Sequence, residues 1–288
     1  MSDKPNLENI KKLREITGVG FKDCKIAIDE NNGDIEKSIE YLRKKGIAKA
    51  SKKMGRVAAD GLALIFEKDN SMSIIEINSE TDFVAKNSDF KNFCKEISEL
   101  NFINKSNIQK LKSSKMKNQK TVDENLIALI SKMGEKITLR RAKFFENNGL
   151  NYSYVHNSLE KNVGKVASIV QLSKNSKKDL KDLGSKLAMH IAAQSPLAID
   201  ESGINKDTLN KELEIIKAEL KNSGKKSEMI DKISSGKIKK FISDNTLLNQ
   251  IWIMDTKKKV NQVVKEYSNG EEIKVLDFAR FKVGEGID

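Results

Sequence analysis

Between Ser73 and Leu100 the apolar residues change their period. Ile74, Ile75 and Ile77 form a short apolar run, which predicts a buried strand. Phe90, Phe93, Ile97 and Leu100 follow at steps of three, four and three, one face of a helix. Ser88 is the expected N-cap of that helix. Between strand and helix runs a polar connection, Ser79 to Lys86, with Asp82 and Phe83 side by side at its centre. Two readings of this pair are open. Phe83 is the first core residue of a longer helix and Asp82 a first-turn acid facing the helix dipole, or the two project together as a wedge.

The rest of the chain alternates the same two periods. Leu7, Ile10, Leu13 and Ile16 predict a first helix, and Cys24, Ala27 and Ile28 the inner face of a second. Asp34 is placed to cap a third helix carrying Ile35, Ile39 and Leu42. Residues 44–60 read as a basic, small-residue linker, and 101–120 as a mobile surface segment without periodicity. Leu62–Glu67 and Ile74–Asn78, joined at Asp69-Asn70, predict a hairpin. A helix is expected over 123–132, strands over Tyr152–Asn157 and Val163–Leu172, and a helix over 178–194. Leu209, Leu213, Ile216 and Leu220 step as a coiled-coil seam, with Ile230, Ile233 and Phe241 on the returning helix. Leu247–Met254 reads as a strand, Lys257–Tyr267 as a helix and Ile273–Lys282 as a last strand.

The expected fold class is α+β. An N-terminal three-helix bundle like a ubiquitin-associated domain (1–50) precedes a duplicated α+β core with antiparallel sheets. The core comprises 51–145, 146–202 and 246–288, and a protruding antiparallel helical hairpin (203–245) interrupts its second half. The duplication is read from strand, loop and helix recurring over Ile74–Leu100 and Ile169–Ile191; the second loop, Ser173 to Ser176, lacks the acid-aromatic pair.

The chain has 288 residues and a formal charge of +12. Its lysines are spread along the whole length and mixed with acids, which favours a solvated surface over a nucleic-acid footprint. No apolar run reaches the roughly eighteen residues of a membrane span, and no apolar segment follows the N-terminus to suggest a signal peptide. Cys24 and Cys94 stand far apart without a CxxC pairing and read as small buried residues in a reducing compartment. The expected location is the cytoplasm.

Catalytic and cofactor motifs are missing. No GxxxxGK[ST] loop occurs; Gly224-Lys225-Lys226 and Gly236-Lys237-Ile238 each lack part of it. His156 and His190 have no metal-ligand spacing around them, and no nucleophile elbow is visible. The sequence therefore predicts a binding protein rather than an enzyme, with no cofactor and no metal.

Several blocks resemble one family. Leu13-Arg14-Glu15, Thr17 to Lys25 (TGVGFKDCK) and Asn32 to Glu36 (NGDIE) are similar to the N-terminal module of elongation factor Ts, the nucleotide-exchange factors of bacterial translation. Ile28 and Ser38 depart mildly from the family pattern. Lys52 to Gly61 resembles a further element. Glu76 to Asn87 (EINSETDFVAKN) resembles the family's second signature and shifts the reading of Phe83 toward the wedge. Met133 to Arg141, Met189 to Pro196 and the ending Val283-Gly284-Glu285-Gly286 continue the likeness over residues 6–287.

The resemblance implies a guanine-nucleotide exchange factor that binds elongation factor Tu, GDP-bound and nucleotide-free, disturbs Mg²⁺ support and promotes GDP release. Thr81, Asp82, Phe83 and Val84 would act at the Mg²⁺ site. Arg14, Phe21 and Lys22 would dock on the GTPase domain, and Met133, Gly134 and His156 would add core contacts. In some members the hairpin supports homodimers; a solvated arm is the other reading. Longer members carry a further C-terminal helix, whose contacts are expected to be absent from a chain stopping at Asp288. The rival reading is a basic RNA-binding accessory protein of translation using the lysines of 44–60 and 101–120. No base-stacking aromatics lie between those lysines, so neither direct nucleic-acid binding nor membrane binding is expected.

Overall fold

The computed structural model describes residues 3–17, 19–174, 179–224, 227–268 and 271–287. Helices α1 (Asp3–Thr17), α2 (Phe21–Glu30) and α3 (Ile35–Lys53) pack around Ile10, Leu13, Cys24, Ala27, Ile28 and Leu42. Asp34 caps α3 by accepting from the Lys37 amide at 3.0 Å. Leu7 and Ile16, expected inward, are exposed. Each three-residue step falls about 60° short of a full turn, so the ends of that stripe rotate out of the bundle. Gly18, expected to help break the first helix, lies outside the described residues.

Part of the expected linker is helix, since α3 continues to Lys53. Its small residues let α3 approach a later helix closely. A Cβ on Gly46 would stand 3.4 Å from Ser131 Oγ, and Ala50 belongs to the main core.

Next come β1 (Asp60–Lys68) and β2 (Ser71–Ser79), paired antiparallel with Leu62 opposite Ile77. A short α4 (Asp82–Lys86) precedes α5 (Ser88–Ile103). Asn87, not Ser88, caps α5, accepting from the Asp89 and Phe90 amides at 2.8 and 3.4 Å. The segment expected to be mobile is built around α6 (Ile108–Ser113) and a bridge from Lys115 to Thr121. Leu111 and Met116 anchor it in the core; two isolated anchors make no periodic signal. A capping box of Thr121 and Glu124 starts α7 (Val122–Met133).

The remaining strands are β3 (Ile137–Phe145), β4 (Leu150–His156), β5 (Val163–Gly164) and β6 (Val166–Leu172). The single strand expected over Val163–Leu172 divides at Lys165. Its ammonium bonds the Asp60 carboxylate and the Gly61 carbonyl. After α8 (Lys181–Gln194) come the hairpin helices α9 (Lys206–Asn222) and α10 (Ser227–Asn245), then α11 (Val260–Ser268) and β7 (Val275–Lys282). Leu247–Met254 is not a strand. It opens with a short helical turn, Leu247–Asn249, whose Leu247 and Leu248 amides donate to the Ala198 and Ile199 carbonyls.

Among the described residues one sheet has the order β3-β2-β1-β5 and the other β4-β6-β7. Strand alternation splits their side chains into layers. Leu62, Leu64, Ile75 and Ile77 face α5, α6 and α7. Ala63, Ile65 and Ile74 meet Ala167, Ile169, Ala279 and Phe281 of the second sheet. Val170 and Leu172 face α8 and α11. The order is helix, sheet, sheet, helix. Strand then helix recurs in both halves, as β2 to α5 and as β6 to α8; Asn175 and Ser176 of the second connection lie outside the described residues.

Glu76 ties the sheets together. It is fully buried and accepts from Arg140 at 2.9 Å, Arg141 at 2.5 Å, Asn78 at 3.0 Å and the Gly284 amide at 2.9 Å. The hairpin has its own small seam of Ile216, Leu220 and Ile230. Among the described residues no helix is long and apolar enough to cross a membrane.

Candidate partner-binding site

The loops that leave β2 and α7 lie against each other and trade carboxylates. Glu80 Oε1 accepts the Lys136 amide at 2.6 Å. In return Glu135 accepts the Thr81 amide at 3.0 Å and the Thr81 hydroxyl at 2.6 Å. The end of α3 fastens to the same place. Arg56 reaches Glu80 at 3.3 Å, the Lys136 ammonium bonds the Arg56 carbonyl at 2.7 Å, and the Lys53 ammonium bonds the Gly134 carbonyl.

From this base α4 projects. Phe83 is 80% exposed, whereas Val84 is 6% and Ala85 1% exposed. Successive helical side chains diverge by about 100°, so burying Val84 and Ala85 in the core turns Phe83 outward. Phe83 is therefore not the first core residue of a longer helix. Val84 belongs to the core and anchors the projection, so it presents little surface to a partner. Asp82 and Lys86 form an exposed pair at 2.6 Å. The Lys86 hydrogen bond holds the Asp82 carboxyl below its usual range and raises the lysine in turn.

The other expected contact residues are distributed around this centre. Arg14, Phe21 and Lys22 flank the junction of α1 and α2, and all three are exposed. Met133 is half-buried on the main core. Gly134 ends α7 at φ +75°, a left-handed cap that glycine adopts without strain. His156 is exposed at the end of β4, with Nδ1 3.0 Å from the Tyr154 hydroxyl. Among the described residues no hydrogen bond or ion pair joins Arg14, Lys22 or His156 to α4. The structure thus places Thr81 to Val84 beside the loop that follows Met133 and Gly134.

Glu80, Glu135, Lys53 and Arg56 were not among the expected site residues. Glu80 and Glu135 each adjoin a singled-out residue, Thr81 and Gly134. Their bonds, Glu135 to Thr81 and Glu80 to Lys136, span 54 and 56 positions, beyond any local pattern.

Cys24 and Cys94 are free and fully buried. Burial raises both thiols, Cys94 well above the usual range, so neither is an activated nucleophile. His190 is buried, stacks on Trp252 at 5.2 Å and bonds Gln250 at 3.0 Å. Among the described residues no group of three or more His, Cys, Asp and Glu could hold a metal ion.

The family model Elongation factor TS matches residues 80–285. A curated protein named Elongation factor Ts from Rickettsia akari is 41% identical over 284 residues, covering 97% of this chain and 92% of its own length. Its namesake from Xanthobacter autotrophicus is 43% identical with the same coverage. That from Nitrobacter hamburgensis is 41% identical over 283 residues, again covering 97% and 92%.

Proposed function

Because the chain belongs to the elongation factor Ts family, we propose that it is a guanine-nucleotide exchange factor for elongation factor Tu, acting without covalent chemistry. It binds the GDP-bound GTPase, disturbs Mg²⁺ support, promotes GDP loss and leaves when GTP enters. The observation that carries this is Phe83, an aromatic side chain 80% exposed on a helix whose next two residues are core.

A GTPase holds GDP through backbone amides and through Mg²⁺ bridging the phosphates. Phe83 enters the partner, and Asp82 perturbs the polar groups that support the ion. A release faster by about ten-thousandfold requires roughly 5.5 kcal/mol of differential binding. Burying one Phe supplies only about 1.5–3 kcal/mol, so other surfaces contribute. Residues 1–50 form the docking module, through Arg14, Phe21 and Lys22. Met133, Gly134 and His156 add contacts on the core. The α9–α10 hairpin is an accessory arm that supports self-association. By reciprocity, nucleotide on the partner weakens binding of this chain by the same factor. The site of action is the cytoplasm, where translation takes place.

The lysines of the first linker favour this over RNA binding. Lys44 pairs with Glu40 at 2.8 Å, and Lys45 and Lys49 pair with Asp23 at 3.4 and 2.8 Å. The test is release of labelled GDP from purified elongation factor Tu. Substoichiometric chain is expected to accelerate release, and excess GDP to dissociate the complex. No acceleration at any concentration, with RNA binding that falls steeply with salt, would replace this reading with the RNA-binding one.

A further inference from the structure

A five-residue helix is unstable alone, because its single turn fixes several dihedrals for few bonds. The direction of α4 must therefore be set from outside. Its own cap does not set it. Thr81 occupies the N-cap position with φ −130° and ψ 160°, but its side chain accepts no bond from the first turn. The hydroxyl turns away and donates to Glu135 Oε1 at 2.6 Å, while the Thr81 amide donates to Oε2 at 3.0 Å. One carboxylate thus grips, with both oxygens, the residue just before Asp82 and Phe83. Charge-assisted two-point contacts are stronger and more directional than neutral single bonds.

Glu135 is itself held on both sides. It follows Gly134, whose carbonyl accepts from Lys53, and precedes Lys136, whose amide is held by Glu80. Its partner Thr81 is braced further by Ser79, whose hydroxyl donates to the Thr81 carbonyl at 3.0 Å.

We propose that Glu135 is the positioning residue of the wedge: by holding the amide and hydroxyl of Thr81 it fixes the direction in which Phe83 leaves the surface. This rests on the exchange-factor reading above. Without the clamp the chain still docks through its other surfaces, and Val84 and Ala85 still anchor the core side of α4. Phe83 then samples the inserted direction less often. Loss of orientation lowers the maximal rate more than the affinity.

The test measures GDP release from elongation factor Tu against concentration for the wild type, Glu135→Ala, Glu135→Gln, Thr81→Val and the double variant Glu135→Ala/Thr81→Val. Amide hydrogen exchange over residues 81–86 is measured on each. Glu135→Ala is expected to lower the maximal rate about tenfold or more while the half-saturating concentration moves less than about threefold. Glu135→Gln offers one carbonyl oxygen to two donors and falls between. Thr81→Val loses the hydroxyl bond alone and falls less. The double variant is no worse than Glu135→Ala, because both substitutions act on one contact. The Thr81 amide exchanges faster in Glu135→Ala. A folded Glu135→Ala protein with the wild-type maximal rate overturns the inference, as does an effect confined to half-saturation. If Glu135→Ala does not fold, Glu135→Gln and Thr81→Val decide by the same two criteria. A wild type that does not speed GDP release overturns the exchange-factor reading and this inference together; an active wild type with an unimpaired variant overturns this inference alone.

Discussion

Phe83 and Val84 are neighbours in the chain and lie on opposite sides of its surface: the phenyl ring is 80% exposed and the valine 6%. One helical step separates a side chain available to a partner from one that holds the tip to the core. Their truncations should therefore separate function from stability.

Phe83→Ala is expected to lower exchange by about 2 kcal/mol or more, the usual loss for an interface anchor, with an unchanged melting temperature. Val84→Ala removes two buried carbons and should cost about 1.5 kcal/mol of stability at about 0.8 kcal/mol each. Melting curves and GDP-release rates on both variants check this. A destabilised but fully active Phe83→Ala protein would contradict it.

The bundle should matter for docking. Phe21→Ala and Lys22→Ala, both at exposed positions, are expected to raise the half-saturating concentration without shifting the melting curve. Deleting residues 1–50 should cut exchange by tenfold or more, about 1.4 kcal/mol. It should also lower the melting temperature, because Gly46 and Ala50 pack against α7 and the main core. Full exchange by the folded truncation would show that the bundle does not dock.

The hairpin should be separable. Its seam of Ile216, Leu220 and Ile230 is a cluster of its own. Ala198, ahead of α9, bridges Thr246, just after α10, so a short linker can replace 206–245. Sedimentation is expected to show weaker self-association, with exchange nearly retained. A folded deletion with unchanged association and no exchange would reverse the assignment.

Stability should fall in acid in two stages. Burial disfavours the charged form of His190, and the Gln250 hydrogen bond only partly offsets it, so the folded value lies below the ordinary 6.5. The unfolded chain then takes up the proton first, and stability present above pH 6.5 is lost as pH falls. Burial pushes Glu76 up, but the Gly284 amide, Asn78, Arg141 and Arg140 outweigh it and hold the carboxyl below 4.5. Its contribution is present above that pH and is lost below it. Urea midpoints from pH 8 to 3.5 should decline below 6.5 and again below 4.5. Glu76→Gln should flatten the second decline. It should also lower stability at pH 7, by less than the roughly 3–5 kcal/mol of a broken buried pair, because Arg140 and Arg141 keep 24% and 33% exposure. A flat pH profile would remove both assignments.

The sequence by itself determined what near neighbours encode. Apolar runs bounded by a turn placed the hairpin of β1 and β2, and periods of three to four placed the inner faces of α5 and α8 and the seam of α9, because side chains within about four positions share a face. Asp34 marked the start of α3, since capping is local. The motif blocks pointed to the family. Tertiary structure alone decided what depends on distant partners. Whether Phe83 faced the core or solvent was settled by Val84 and Ala85 filling the space between sheet and helices. The first part of the basic linker became helix because Gly46 lies against α7 and Ala50 joins the main core. The strand expected over Val163–Leu172 was divided where Lys165 reached Asp60, across 105 positions. Glu76 meets the Gly284 amide across 208 positions, and Glu135 reaches Thr81 across 54. Such contacts leave no period in the sequence, because a hydrogen bond between loops needs only two residues and a fold that brings them within 3 Å.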